Sequence, residues 1–287
     1  MPAPLPVAYL NGAFLQLADA RVTPLDRGFL FGDSVYEVVP VYAGRLFLLD
    51  PHLDRLARSL LEIRLADPME REAWIRLLDT LIARNEGGNM AVYMQVTRGA
   101  DSQRDHRMPR DLAPTVFAMA TPFDGVPQAT REHGIAAVVL EDTRWGRCDI
   151  KSTGLLANVL LRAVAEDAGA QEAILVRDGH VTEGASSSVF VIADGVVRTP
   201  PNGPELLPGT TRDLVIALAH DAGLPVEEAR FAPEALAGAD EIWISSAMRE
   251  VLAVTRLDGE PVGDGRPGPL WRQIFERYQA YKQQFAT

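Results

Sequence analysis

Apolar runs meet at Asn11-Gly12 in the stretch VAYLNGAFLQL and again at Ala43-Gly44 in SVYEVVPVYAGRLFLL. A tight hairpin turn places its two central residues at positive φ, which Asn and Gly tolerate. Both stretches therefore predict strand pairs, and with them an antiparallel sheet. The next stretch, DPHLDRLARSLLEIRL, changes period: Leu53, Leu56, Leu60 and Ile63 fall at helical spacing, with Asp50 as N-cap and Pro51 in the first helical position. Arg55 lies off that stripe. A second amphipathic helix, EAWIRLLDTLIARNEG, ends at Gly87, and MAVYMQVTRG and PTVFAMATPF predict strands on either side of a polar loop.

The stretch TPFDGVPQATREHG, rich in Pro, Gly and polar residues, predicts a boundary between domains. The organisation expected is an N-terminal domain over 1–121, a linker over 122–130 and a C-terminal domain over 131–287. The second half opens with strand IAAVVLED, the segment around Lys151, helix LLANVLLRAVAEDAG and strand EAILVR. After a turn at Asp178-Gly179 it continues with strand HVTEGASSSVFVI, a turn at Asp194-Gly195, the loop PNGPELLPGTT and helix RDLVIALAHDAG. Strand EIWISS and helix LWRQIFERYQAYKQQF close it. Hairpin signals beside single helices predict an α+β fold with mixed sheets, and the glycine patterns of dinucleotide and P-loop sites are missing.

Composition narrows the function classes. With 287 residues, 47% of them hydrophobic, the chain can bury a sizeable core. A formal net charge of -11 leaves no basic excess for a phosphate backbone, so nucleic acid is not an expected partner. One cysteine makes no intrachain disulfide, neither CxxC nor HExxH occurs, and no metal site is predicted. The first residues lack a basic n-region and no segment is apolar over a membrane-spanning length, which predicts a soluble, cytoplasmic protein with no membrane partner.

Lys151 is the first candidate for chemistry, since Cys148, Ile150 and Leu155 around it predict partial burial, and buried lysines need a reason. An amine becomes a covalent catalyst by forming a Schiff base with an aldehyde, and pyridoxal phosphate is the cofactor for which this is routine. Such a site needs an anion at the pyridine nitrogen, a phosphate cup and a grip on the substrate carboxylate. Glu183 in VTEGASSSVF could supply the first; its alternative is a solvated strand residue. Thr210 and Thr211 in LLPGTTRDLVIAL could hold phosphate at a helix N-terminus; ordinary N-capping by Thr211 with Asp213 is the alternative. Ser245 and Ser246 sit at a strand end. Arg55 suits phosphate or a solvated helix face. The stretch VTRGADSQRDHRMPR gathers Arg98, Arg104, His106, Arg107 and Arg110 into a candidate carboxylate trap, partly neutralised by Asp101 and Asp105, or a solvated loop. His52, His133, His180 and His220 show no partner spacing and are assigned no chemistry.

The order of these motifs carries more than any one of them. DRGFLFGDSVYEVVPVYAGRLFLLDPHLDRL, then RWGRCDIKS, VTEGASSSVF and GTTRD, resemble the fold-type IV pyridoxal-phosphate enzymes over nearly the whole chain. Within that group FGDSVYEVV, RGADSQRDH and RCDIKS look most like the D-amino-acid aminotransferases. The resemblance implies a smaller N-terminal α/β sandwich and a larger C-terminal pseudo-barrel with helices. It implies that Lys151 forms the Schiff base and carries the proton on the substrate Cα, that Glu183 pairs with the pyridine nitrogen, and that Arg55, Thr210, Thr211 and Ser246 hold the phosphate. Tyr36, Arg104 and His106 would bind the substrate carboxylate, the last two reaching in from the partner subunit of a homodimer. The activity implied is ping-pong transamination, through pyridoxamine phosphate, between a D-amino acid, D-alanine above others, and a 2-oxo acid such as 2-oxoglutarate. An L-branched-chain aminotransferase, an R-amine transaminase, aminodeoxychorismate lyase and, outside the enzymes, a cofactor-free binding protein are the alternatives. The chain departs from the family at Ala247, where a hydroxyl residue usually meets the phosphate, at Ser188, which replaces a frequent Asn, and at Asp105, an extra residue in the arginine loop. Losing the hydroxyl at 247 removes a hydrogen bond worth about 1 kcal/mol.

Overall fold

A computed structural model describes residues 2–109 and 111–286, with side chains to 284. Its contacts divide the chain into two units: one runs to Asp124 and takes in Ile150–Gly154, and the other comprises Gly125–Asp149 and Leu155–Gln284. The break falls within residues 122–130, and the segment bearing Lys151 packs with the first unit.

In the first unit the elements are β1 (Val7–Leu10), β2 (Ala13–Gln16), α1 (Arg27–Phe31), β3 (Ser34–Tyr42), β4 (Arg45–Leu46), α2 (Leu49–Glu62), α3 (Arg71–Arg84), β5 (Met90–Thr97) and β6 (Thr115–Pro122). The strands form one antiparallel sheet in the order β2-β1-β6-β5-β3-β4. Both hairpin turns form as expected, with Asn11 and Gly12 at φ 47 and 96 and Ala43 and Gly44 at φ 50 and 80. Leu53, Leu56 and Leu60 of α2 and Trp74, Leu78 and Leu81 of α3 cover one sheet face, against Val35, Val39, Val41, Val92, Met94 and Val96. This is the helix-on-sheet sandwich expected of an α/β domain.

Helix α2 begins two residues earlier than its capping signal suggests. Leu48, at φ 54, is the residue before the helix and caps nothing with its side chain; Asp50 lies in the first turn and accepts a hydrogen bond from Arg71 at 2.8 Å. Pro51 is still within that turn, where its missing N–H has no intrahelical acceptor to lose.

The second unit holds α4 (Gln128–His133), β7 (Ile135–Glu141), α5 (Leu156–Asp167), β8 (Glu172–Arg177), β9 (His180–Gly184), β10 (Ser188–Ala193), β11 (Val196–Thr199), α6 (Thr210–Asp221), β12 (Val226–Glu228), α7 (Glu234–Ala237), β13 (Glu241–Ser246), β14 (Glu250–Leu257), β15 (Glu260–Pro261) and α8 (Pro269–Ala286). Its sheet runs β12-β11-β10-β13-β14-β7-β8-β9, with β15 against β14, and is mixed, since β7 pairs parallel with both β8 and β14. The stretch HVTEGASSSVFVI, read as one strand, is two. A bend at 185–187, closed by Gly184 N–H donating to the Ser187 carbonyl at 2.6 Å, carries the chain from the edge strand β9 to β10, third in the sheet. The sheet thereby curls into a half-barrel around a core that includes Ile174, Val189, Ile242, Ile244 and Val254.

Candidate active site

The period-2 geometry of β3 sorts its side chains. Val35, Val39 and Val41 face the helices, and Glu37 shares their face, fully buried. A carboxylate there requires a cation and further hydrogen-bond donors, and α2 supplies both. Arg55 Nε and Nη2 donate to the two Glu37 oxygens at 2.7 and 2.8 Å, and His52 Nδ1 lies 2.7 Å from Oε2. Arg55 is therefore no solvated helix residue, and His52, which sequence reasoning passed over, is part of the same cluster, one turn before it. Burial pushes the Glu37 carboxyl up, but Arg55 and then His52 outweigh it and hold it well below its ordinary range. Burial lowers the His52 imidazole below its ordinary 6.5, with Arg55 and Lys151 adding to that against Glu37. The neutral ring carries its proton on Nδ1 and donates it to the carboxylate.

Beside β3 runs the segment Ile150–Gly154. Tyr36 N–H donates to the Lys151 carbonyl at 3.0 Å, Thr153 N–H to the Ser34 carbonyl at 3.1 Å, and Val35 and Ser152 bridge antiparallel. The segment thus continues the sheet edge beyond the two-residue β4. Alternation turns Ile150 into the core and Lys151 to the other face, where its Nζ stands 4.3 Å from the Tyr36 ring centroid. Lys151 is half-buried, as expected. Tyr36 stacks on Tyr93, with centroids 5.6 Å apart, and Tyr93 meets Phe117 at 6.5 Å, so three rings line this face. Burial pushes the Tyr93 hydroxyl up to about 12. The chain has only two lysines, Lys151 and Lys282. Lys282 Nζ is bound to the buried Glu250 at 2.6 Å, whereas no carboxylate among the described residues pairs with Lys151. That scarcity was open to reading in the sequence.

The arginine loop splits by role. Arg98 is buried and bidentate to Asp33, at 2.8 and 2.9 Å, and also donates to the Ile63 carbonyl; Arg107 pairs with Asp105 at 2.6 Å. Neither belongs to an open carboxylate trap. Arg110 lies outside the described residues. Arg104 and His106 are exposed, and both rest against Phe31 of α1. The Asp105 charge is taken up by Arg107 rather than by either of them.

In the second unit Glu183 is buried rather than solvated. Arg144 Nη1 donates to its Oε1, as does Leu207 N–H at 3.2 Å. Arg144 is held in turn by Asp142, whose other partners are Arg177 and Thr182. Burial pushes the Glu183 carboxyl up, and Arg144 opposes that shift. Arg144, which opens the RWGRCDIKS stretch but carries no role in the sequence reading, is thus the counter-charge to the Glu183 carboxyl.

Thr210 and Thr211 are buried as the first residues of α6, and the N-cap is Gly209, which has no side chain to cap with; Thr211 does not cap. Ser188 pairs across the sheet with Ser245, so both side chains share a face, and a Cβ on Gly209 would come within 2.7 Å of Ser188 Oγ. Ser245 Oγ is buried with no hydrogen-bond partner. An uncapped twelve-residue helix start, a glycine whose Cβ would crowd Ser188 Oγ and an orphaned buried hydroxyl fit a bound anion such as the cofactor phosphate. Ser246 ends β13, half-buried, and Ala247 follows in the turn that Arg249 N–H closes onto the Ser246 carbonyl.

Comparison with known proteins agrees with this chemistry. The family model for amino-transferase class IV matches residues 34–257. D-Alanine aminotransferase of Staphylococcus aureus (strain COL) is 41% identical over 274 residues, 95% of this chain and 96% of that protein. The Bacillus licheniformis D-alanine aminotransferase is 40% identical over 92% of this chain and 93% of its own. Among solved structures, the Escherichia coli branched-chain amino acid aminotransferase superposes with a TM-score of 0.89 at 28% identity, covering 98% of this chain and 94% of that one. The branched-chain amino acid aminotransferase of T.th., solved with pyridoxamine 5'-phosphate, gives 0.88 at 26%, covering 96% and 93%. The chain belongs to the class IV aminotransferases, fold-type IV enzymes that depend on pyridoxal phosphate.

Proposed function

We propose that this enzyme moves an amino group between a D-amino acid, D-alanine above others, and a 2-oxo acid such as 2-oxoglutarate, by a ping-pong route, as a cytoplasmic homodimer. The observation that carries the reading is the placement of Lys151: of the two lysines, it is the one with no carboxylate partner among the described residues, standing over an aromatic wall. The D-amino-acid assignment is supported by the names of the relatives that match at 40–41% identity. Leu156, Val159, Leu160 and Val164 form an exposed apolar stripe along α5, the kind of surface a second subunit covers, which supports the dimer.

Bound here, pyridoxal phosphate supplies an aldehyde for Schiff-base chemistry and a ring that withdraws electrons from the substrate Cα. Lys151 Nζ would take the proton from the substrate Cα and deliver it to the C4′ carbon of the cofactor, and reverse that transfer in the other half-reaction. Glu183, whose carboxyl accepts from Arg144 Nη1, would hold the proton on the pyridine nitrogen. Thr210, Thr211 and Ser246 would hold the phosphate, and the family resemblance adds Arg55, whose guanidinium Glu37 orients. Tyr36 with Arg104 and His106 binds the α-carboxylate. Because the carboxylate grip and Lys151 are both set, only one enantiomer presents its Cα–H to the amine. Steady-state assay of D-alanine, L-alanine, L-leucine and a simple R-amine with 2-oxoglutarate tests this. D-Alanine should lead L-alanine by at least about a hundredfold in kcat/KM. Preference for L-leucine would assign the branched-chain activity, preference for the R-amine an amine transaminase, and pyruvate release from aminodeoxychorismate without amino transfer the lyase.

A further inference from the structure

We propose that Phe31 and Arg27 form a platform that positions Arg104 and His106 to take the substrate carboxylate, with the extra residue of the loop, Asp105, as its anchor. The inference rests on the proposed role of Arg104 and His106 and deepens it. Arg27 is 5% exposed and makes three contacts. Its Nε donates to Asp33 at 2.9 Å, its Nη1 donates to the Asp105 carbonyl at 2.7 Å, and its guanidinium stands 4.8 Å from the Phe31 centroid. On the same ring lie the Arg104 guanidinium, at 5.0 Å, and the His106 ring, at 5.1 Å. One aromatic side chain therefore carries both proposed carboxylate ligands and the arginine that ties down the residue between them.

The base of this platform is rigid. Asp26 caps α1 through Gly28 N–H at 2.8 Å and accepts from the Thr97 and Thr115 hydroxyls at 3.0 and 2.6 Å. Asp33 joins Arg27 to Arg98 and is held below its ordinary carboxyl value: burial raises it, but the two guanidiniums outweigh that. Asp105 contributes its main-chain carbonyl to Arg27 and turns its carboxylate to Arg107, so the insertion adds an anchor without placing a negative charge between Arg104 and His106. An exposed arginine free to sample rotamers would bind a carboxylate weakly; one stacked on a ring from a pinned loop loses less freedom on binding.

The test uses holoenzyme with Phe31→Leu, Phe31→Tyr and Arg27→Lys, alongside Arg104→Ala. Phe31→Leu should raise KM for D-alanine and the inhibition constant of acetate about tenfold each, with kcat within about twofold and cofactor absorbance and Tm near wild type. Phe31→Tyr should restore both constants, and Arg27→Lys, which keeps the charge but loses the fork, should fall between. In the Arg104→Ala background Phe31→Leu should add little, because both act on one interaction. If Arg104→Ala weakens D-alanine and acetate but Phe31→Leu does not, or if Phe31→Leu lowers kcat, cofactor content and Tm together, the platform is refuted and the carboxylate reading stands. If Arg104→Ala itself leaves both constants unchanged, the carboxylate reading fails and the platform with it.

Discussion

His52 shows what a single residue can hide. Its spacing to Arg55, one helical turn, matters only because Glu37 faces both from a neighbouring strand. In SVYEVVPVY the carboxylate was visible as an ionisable residue on the core-facing phase of an apolar strand, which is the one signal that could have located its partners. A histidine held neutral by burial leaves the unfolded chain to bind its proton first. Stability linked to His52 is therefore complete above its ordinary 6.5 and is lost as pH falls below it. Denaturant titrations from pH 7 to 5 should show unfolding free energy dropping by up to about 1.4 kcal/mol per pH unit, and His52→Asn should flatten that limb. An unchanged slope in the variant would assign the pH dependence elsewhere.

Elements were legible where one local rule decided them. Both early hairpins and the β8–β9 turn formed at the predicted Asn-Gly, Ala-Gly and Asp-Gly pairs. Boundaries failed where tertiary contacts decided: α2 starts at Leu49 rather than after an Asp50 cap, and the bend at 185–187 breaks what reads as one strand, held partly by Glu172, which accepts from Ser187 at 2.9 Å. β14, a central strand, went unpredicted although it ends in the turn pair Asp258-Gly259, at φ 51 and 86, that leads into β15. The start of α6 is the element whose geometry bears most on function. Gly209 has an ordinary backbone conformation, φ -79, so alanine there strains no dihedral but brings a Cβ within 2.7 Å of Ser188 Oγ and 3.1 Å of Arg212 Cβ. Gly209→Ala should change unfolding free energy by less than about 1 kcal/mol while weakening cofactor binding about tenfold, read as loss of cofactor absorbance on dialysis. Full retention of cofactor would remove this helix start from the phosphate site.

At the scale of the whole chain, the order of motifs carries the family resemblance, whereas the pairs that hold the candidate site together are unreadable in the sequence because they join distant segments: Glu37 with α2, Arg144 with Glu183, Asp33 with Arg98. Buried guanidinium–carboxylate pairs occur in both units. In Asp33 and Asp142 burial raises the carboxyl and arginines more than reverse it, so each lies below its ordinary 3.8. For such groups stability is complete above the ordinary value and is lost as pH falls through the lowered one. Circular dichroism should accordingly show both units losing structure in the acid range below the carboxyl pKa, with no such loss between pH 7 and 9.

The account stands most directly on Lys151. Borohydride reduction of the holoenzyme should fix the cofactor to it. With only one other lysine in the chain, tryptic digestion should then give a single labelled peptide, CDIKSTGLLANVLLR, uncleaved at the modified residue. Cofactor mass on Lys282 or on the N-terminus, or no adduct on that peptide, would contradict the assignment of Lys151 as the catalytic amine.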